Sequence, residues 1–391
     1  MHPAGDSELN PAPAPARISP WRLALGGMFA MAAAIGIGRF VYTPILPMMM
    51  AQESLSAGQA GMIASSNYLG YLIGAMIAAT AMLRGSQRAW LLGALFASAV
   101  TTLYMAWTES YVGFLATRFI GGLVSAWVLV FATTLVITRL TDMGRGGLTA
   151  VLFAGVGLGI VFASLLTGLA MDNQDGWRGA WINSGAAALA ATLLVAVLVP
   201  GRRTDTAAMP VRSENRGRSI GGLLAAYGLF GFGYVITATF IVQLVRSAAY
   251  PPEAEIAIWV LVGIAGIPSV WLWNRYAAVA GNSRAFSVAC VVLAVGVGAS
   301  VLLPGLWGLV PGAVLLGSTF MAITAIGLVE ARERSGKDPR HALAMMTAAF
   351  GAGQIIGPAV AGYMRDAFGS FLLPSILASV LLVLAAALAH R

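Results

Sequence analysis

One cysteine, three histidines and 10% charged residues in a chain of 391 leave most soluble chemistries without material. Cys290 lies inside the apolar run AFSVACVVLAV, so neither a disulfide framework nor a cysteine-ligated metal site can be built. His2, His341 and His390 are too dispersed for a metal cluster, and the chain has no H-E-x-x-H motif of the kind an embedded hydrolase would carry. Soluble globular chains hold about 25% charged residues, so at 10% a folded surface could not be covered with groups that water solvates. Acids are scarcer still toward the middle of the apolar runs. The fifteen Asp and Glu fall in the first residues, in loops or at run ends, with Glu330 and Asp172 nearest to a run's interior. GIGRF and GVGLGI superficially resemble phosphate-binding loops, but no strand precedes them and no Gly-Lys-Ser/Thr follows, which disfavours nucleotide binding and ATP-driven transport. No cofactor or metal is implied. Residues 1–20, rich in Pro and Ala, lack a basic start, an apolar core and a cleavage site; they read as a disordered cytoplasmic tail rather than a signal peptide.

What the chain has in abundance is apolar surface: 59% hydrophobic residues and a mean hydropathy of +0.82. A bilayer-spanning helix needs about 20 mainly apolar residues, and twelve such runs fit. They fall at about 22–47, 59–82, 89–108, 111–138, 148–170 and 180–199, then at about 220–245, 256–274, 284–303, 306–330, 341–364 and 370–389. The expectation is an all-α membrane protein of twelve transmembrane helices in two six-helix bundles, 21–200 and 220–391, joined by a cytoplasmic linker at 201–219. The net charge of +8 does not mark a nucleic-acid partner, because the basic residues are scattered through short loops. Counted over alternate loops, eighteen of the 23 lie on one side, Arg178, Arg246 and Arg365 on the other, and Arg39 and Arg118 inside runs. Cytoplasmic loops collect Lys and Arg, so both termini are expected in the cytoplasm.

The two halves also align on each other. Shifted by 195, LGGMFAMAAAIGIGRFVYTPIL from Leu25 lies over IGGLLAAYGLFGFGYVITATFI from Ile220 without a gap, so Gly26, Gly27, Gly36 and Gly38 meet Gly221, Gly222, Gly231 and Gly233. The same shift pairs Arg139 with Arg334, and a shift of 194 pairs Gly157, Gly159, Gly168 and Asp172 with Gly351, Gly353, Gly362 and Asp366. Such parallel repeats are a transporter pattern.

The sequence resembles the major facilitator superfamily over nearly its whole length. RFIGGLVSA from Arg118 is similar to that superfamily's fourth-helix motif, and GVGLGIVFAS and GQIIGPAVAG to its Gly-rich packing motif. GIGRFVYTPILPMM, SNYLGYLIGA and GSTFMAITAIGLVEAR look most like the YbfB/YjiJ-type branch. AMLRGSQR stands where the superfamily carries G-x-L-x-D-R-x-G-R but lacks the Asp, and the looser copy WNRYAAVAGNSR has Asn274 at the acidic position. The resemblance implies two bundles rocking about a central cavity, a bacterial-type inner membrane, a monomer, and a proton or another coupling ion beside a small-molecule substrate.

Arg39 and Arg118 carry the most information about that substrate. An Arg near a helix centre costs about 2.5–3.5 kcal/mol on insertion scales and faces a cavity or a partner. With no carboxylate mid-span to pair them, they favour an organic anion, which a planar guanidinium grips bidentately. The alternative is structural: Arg118 bonds helix carbonyls, or either side chain snorkels to the interface. Tyr42 follows Arg39, and Pro44 and Pro47 predict a kink, since Pro44 has no N–H for the carbonyl of Phe40. Asn67 and Tyr71 share one helix face with Gly74, Tyr234 occupies the repeat position of Arg39, and Gln354 precedes Gly357 and Pro358. Each of these polar groups reads either as substrate contact or as an interhelical bond. Gly155, Gly157, Gly159, Gly353 and Gly357 read as packing surfaces. Trp21, Tyr104, Trp107 and Trp177 read as interfacial anchors. Secondary transport of an organic anion is the favoured reading; efflux of hydrophobic compounds and a non-transporting sensor are the alternatives.

Overall fold

The computed structural model describes residues 19–80, 82–171, 176–201, 219–335 and 339–389, the side chains of 339 and 340 excepted. Residues 1–18 of the expected tail, most of the linker and Asp172 lie outside the described residues. The elements are α1 (Pro20–Gln52), α2 (Ala57–Ala79), α3 (Gln87–Trp107), α4 (Tyr111–Asp142), α5 (Gly146–Gly168), α6 (Gly176–Leu198), α7 (Gly221–Ser247), α8 (Pro252–Gly266 and Ser269–Ala280), α9 (Asn282–Leu302), α10 (Leu306–Arg334), α11 (Pro339–Phe368) and α12 (Leu372–Ala389). Among the described residues, eleven are long and apolar enough to cross a membrane, and α8 makes a twelfth span as two pieces bent by 41°. The break falls at Ile267 and Pro268, where the ring removes an N–H from the helix ladder.

Helix α1 is interrupted near its middle. Residues Ala32–Ile37 are wound as a π-helix, with the Gly38 and Phe40 N–H groups reaching back five residues to Ala33 and Ile35 at 2.9 and 3.2 Å. A turn then carries the chain to Tyr42, where α-helix resumes to Gln52. Pro44 is the local cause: without its N–H, the Phe40 carbonyl accepts instead from the Thr43 N–H at 3.3 Å. The Arg39 carbonyl, normally Thr43's acceptor, is left for another donor.

Helices α4 and α10 run to Asp142 and Arg334, further than their apolar runs suggested. The extra turns place Arg139 and Arg334, both buried, over the ends of neighbouring helices. Arg139 Nη1 donates to the Pro200 carbonyl after α6 at 3.1 Å, and Arg334 Nη2 to the Ala389 carbonyl closing α12 at 2.8 Å. These are repeat-related cations on repeat-related helix C-termini, where the last carbonyls lack partners and the dipole favours positive charge. Arg88 joins them, donating to Val199 and Ala196.

Glycines set the helix separations. Within the first bundle, a Cβ on Gly155 would lie 2.1 Å from the Met28 carbonyl oxygen of α1, and one on Gly122 would lie 1.9 Å from that of Asn67 in α2. Gly159 sits against Gly36, and in the second bundle Gly353 lies against Gly228 and Gly357 against Phe232. In lipid no hydrophobic drive separates helix from tail, so close backbone approach supplies the packing. The bundles meet along two repeat-related seams, α2 on α11 through Gly61 and the Pro358 carbonyl, and α5 on α8 through Gly157 and Gly263. Trp21, Tyr104 and Trp107 are exposed, as interfacial anchors require. Trp177 is not: it is buried edge-on against Phe114 with Arg178 over its ring, so it is a core residue.

Candidate functional site

Between the bundles lies a cavity of about 330 Å³ walled by α1, α2, α4, α5, α7, α10 and α11. Its lining includes Arg39 with Tyr234, Leu129 with Thr324, Val130 with Ala325 and Thr133 with Leu328. Each pair is 195 apart, so the cavity straddles the axis that relates the repeats. Most of the remaining lining is apolar: Met31, Ile35, Phe40, Phe153, Phe320, Met321 and Phe350.

Arg39 is the single charged residue of that lining. It stands in the turn just past the π-helical segment, and its guanidinium lies between two rings of α2, 4.4 Å from the centroid of Tyr68 and 4.3 Å from that of Tyr71. The cation is therefore held by aromatic faces rather than by a carboxylate. Its Nε and Nη2 are buried and have no hydrogen-bond partner. In an arginine these two nitrogens form one edge, the edge that takes a carboxylate or phosphate through two parallel bonds.

Arg118 does not line the cavity. Its Nη1 and Nη2 donate to the carbonyls of Gly38 and Arg39, both at 2.9 Å, which satisfies the acceptors that the break in α1 leaves free. Of the two readings open for Arg118, the geometry matches the structural one, and of the two mid-span guanidiniums only Arg39 lines the cavity. Tyr42 is likewise engaged elsewhere, its hydroxyl donating to the Ala60 carbonyl at 2.9 Å. The face expected to carry both Asn67 and Tyr71 divides. Tyr71 reaches the cavity, whereas Asn67 donates to the Arg118 carbonyl at 2.8 Å and packs toward α4. Tyr234 reaches the cavity from α7, and the fully buried Gln354 donates to its hydroxyl. Gln354 thus positions Tyr234 rather than meeting the cavity.

One end of the cavity is shut. Phe40 packs on Phe320 at 5.6 Å and Trp259 at 6.3 Å across the bundle interface. Beyond it, Thr43 Oγ1 donates to the Ala238 carbonyl at 2.7 Å, another pair 195 apart. At the same end, the carboxylate of Asp366 in α11 accepts from the Ala57 and Gly58 N–H groups at 3.0 and 2.7 Å. The second bundle thereby caps the first turn of α2, where free N–H groups and the helix dipole attract an anion. From Arg39 the lining extends the opposite way, toward the ends of α4 and α10 that carry Arg139 and Arg334.

Sequence reasoning missed Tyr68, Phe320, Phe350, Thr133, Thr324 and Asp366. Tyr68 could have been found from Tyr71, three residues on and hence on the same helix face. The 195-residue offset pairs Thr324 with Leu129, but nothing in it says that either faces a void.

The family profile described as "Uncharacterised MFS-type transporter YbfB" matches residues 31–390. The chain is similar to the MFS-type transporter YcaD of Escherichia fergusonii, 23% identical over 368 residues that cover 92% of this chain and 93% of that one. It is similar also to YcaD of Salmonella typhimurium, 24% identical over 372 residues with coverage of 92% and 93%. Among solved structures, the nucleoside transporter NupG superposes with a TM-score of 0.68 at 15% identity, covering 94% of this chain and 98% of NupG. A mutant of NupG gives 0.71 at 14% identity, covering 93% and 98%. At that identity the likeness is one of fold. The profile covers nearly the whole chain, and with the twelve-span fold and the cavity on the repeat axis it places the protein: the chain belongs to the YbfB-type family of major facilitator superfamily transporters, multi-pass inner-membrane proteins and not enzymes.

Proposed function

We propose that the protein is a secondary active transporter that carries a small organic anion by alternating access, with Arg39 receiving the anionic group. The observation that supports this most is a lone guanidinium in the cavity wall, held between tyrosine rings, with its bidentate edge unpaired. An intramembrane charge of this kind marks a substrate or ion pathway. A carrier of organic cations would be expected to place a carboxylate here, and none lines the cavity. With both termini in the cytoplasm, as the basic loops imply, the closed end is periplasmic and the cavity faces inward. Rocking about the two glycine seams then exchanges the closed and open ends. A proton or another ion supplies the coupling.

The cavity's apolar walls support a second reading, efflux of hydrophobic compounds, and the solved nucleoside transporters keep neutral nucleosides on the test panel. A ligand that binds only the folded protein raises its thermal midpoint. The test is a thermal-shift screen of purified protein and of its Arg39→Gln variant against carboxylates, phosphates, sulfonates, nucleosides and apolar drugs. Stabilisation of the parent by anions and loss of that response in the variant are expected. A response confined to neutral or cationic compounds, unchanged by Arg39→Gln, overturns the anion assignment.

A further inference from the structure

We propose that the anion is an aromatic monocarboxylate, a single negative group on a flat ring body. The inference rests on the anion reading above and deepens it through three features of the cavity wall. The first is charge. One guanidinium is the only formal charge in the lining, so one anionic group balances it, and a second would sit uncompensated in apolar surroundings. The Nε and Nη2 edge of Arg39 is buried and unpartnered beside the rings of Tyr68 and Tyr71, and two nitrogens in that fork suit the two oxygens of a carboxylate.

The second feature is the poverty of hydrogen-bond donors beyond Arg39. Thr133 spends its hydroxyl proton on the Leu129 and Val130 carbonyls, at 2.7 and 3.1 Å, and Thr324 spends its own on the Phe320 carbonyl at 2.9 Å. Tyr234 keeps a proton to donate, because its oxygen already accepts from Gln354, and the Tyr71 hydroxyl is the one further donor of the lining. A sugar or a polyhydroxylated acid would leave several of its polar groups unmatched, each at a desolvation penalty.

The third feature is ring orientation. Tyr234 lies within 2° of parallel to Phe350 at 5.8 Å and within 14° of parallel to Phe320 at 6.0 Å, and all three rings line the cavity. A flat guest can lie parallel to wall rings that share an orientation, whereas a puckered or branched chain meets only part of them. A volume of about 330 Å³ is at the small end of ligand pockets, which suits one ring or a fused pair.

The test measures binding to the full-length purified protein with four probes: benzoate, cyclohexanecarboxylate, benzamide and terephthalate. Benzoate is expected to bind about three- to tenfold more tightly than cyclohexanecarboxylate, its saturated counterpart. Benzamide, the neutral isostere, and terephthalate, the dianion, should each be weaker than benzoate by about tenfold or more. Phe350→Leu should shrink the benzoate preference over cyclohexanecarboxylate and leave the preference over benzamide intact. Arg39→Gln should erase the preference over benzamide; should that variant fail to fold, Arg39→Lys, which keeps the charge and loses the fork, takes its place and should weaken it. Equal binding of benzoate and cyclohexanecarboxylate overturns the aromatic assignment while the anion reading stands. Equal binding of benzoate and benzamide overturns both.

Discussion

Replacing Arg118 separates a structural cation from a ligand-binding one. The side chain is 4% exposed and closes two 2.9 Å bonds to the Gly38 and Arg39 carbonyls. Net contributions of hydrogen bonds to charged groups run about 1.5–3 kcal/mol each. In Arg118→Gln the shorter amide can restore at most one of them, and the Arg39 carbonyl has no spare backbone donor because the Thr43 N–H is bonded to Phe40. Removing a buried charge recovers some desolvation, so the net loss is about 2–4 kcal/mol. For a chain of this size that corresponds to a fall of roughly 2–5 °C in thermal midpoint, compared at one heating rate because membrane proteins unfold irreversibly. Cys290 offers a convenient reporter: it is the sole thiol and fully buried, so a thiol-reactive fluorophore lights up as the protein unfolds. Below the transition, benzoate binding should persist within about threefold of the parent, since no Arg118 atom lines the cavity. A variant that melts like the parent yet no longer binds would refute the assignment and return Arg118 to the binding machinery.

Two glycines of equal crowding should fail differently. Gly122→Ala drives a Cβ into the Asn67 carbonyl within one bundle, so little folded protein should be recovered by size-exclusion chromatography. Gly61→Ala meets the Pro358 carbonyl at 2.1 Å across the bundle interface; the protein should fold, with spin-label distances across the closed end lengthened because that end no longer seats. Asp366→Asn removes the charge that caps α2 from α11. By analogy with an exposed N-cap it should shift the equilibrium toward opening of that end by about 1 kcal/mol, roughly fivefold, visible in the same distance distributions. Gln354→Leu leaves Tyr234 without its donor and should weaken benzoate binding by about tenfold or less, while Tyr234→Phe in the same background adds little further, a coupling that a double-mutant cycle reads directly.

Much of the architecture was legible because lipid imposes it. Twelve apolar runs, a 195-residue offset and a mid-span Arg before a proline follow from hydropathy, self-similarity and chemistry, and of the glycines that the repeat paired, Gly157, Gly351 and Gly362 lie on the two seams. Apolar periodicity is less informative about what a buried side chain touches. Arg39 and Arg118 occupy like settings in the sequence, and only the path of α1 around Pro44 decides that one fills carbonyls while the other faces a void. The bases at the ends of the runs read from sequence only as orientation signals, whereas in the fold Arg88, Arg139 and Arg334 close helix C-termini, a role that depends on which helix ends lie beside them. Trp177 shows the same limit: an aromatic at a helix end is an anchor or a core residue according to its neighbour, here Phe114.

Arg39 and Tyr234 occupy equivalent places in the two repeats, and this has a consequence for the passenger. A chamber with matching halves would accept a ligand in two orientations related by half a turn, and neither half would own it. One guanidinium on α1 breaks that degeneracy: for the aromatic anion proposed above, the acidic head is fixed to the first bundle and the ring faces the second. When the bundles part at one face and close at the other, the cargo rides with the half that carries Arg39, and release is set by how that half alone lets go.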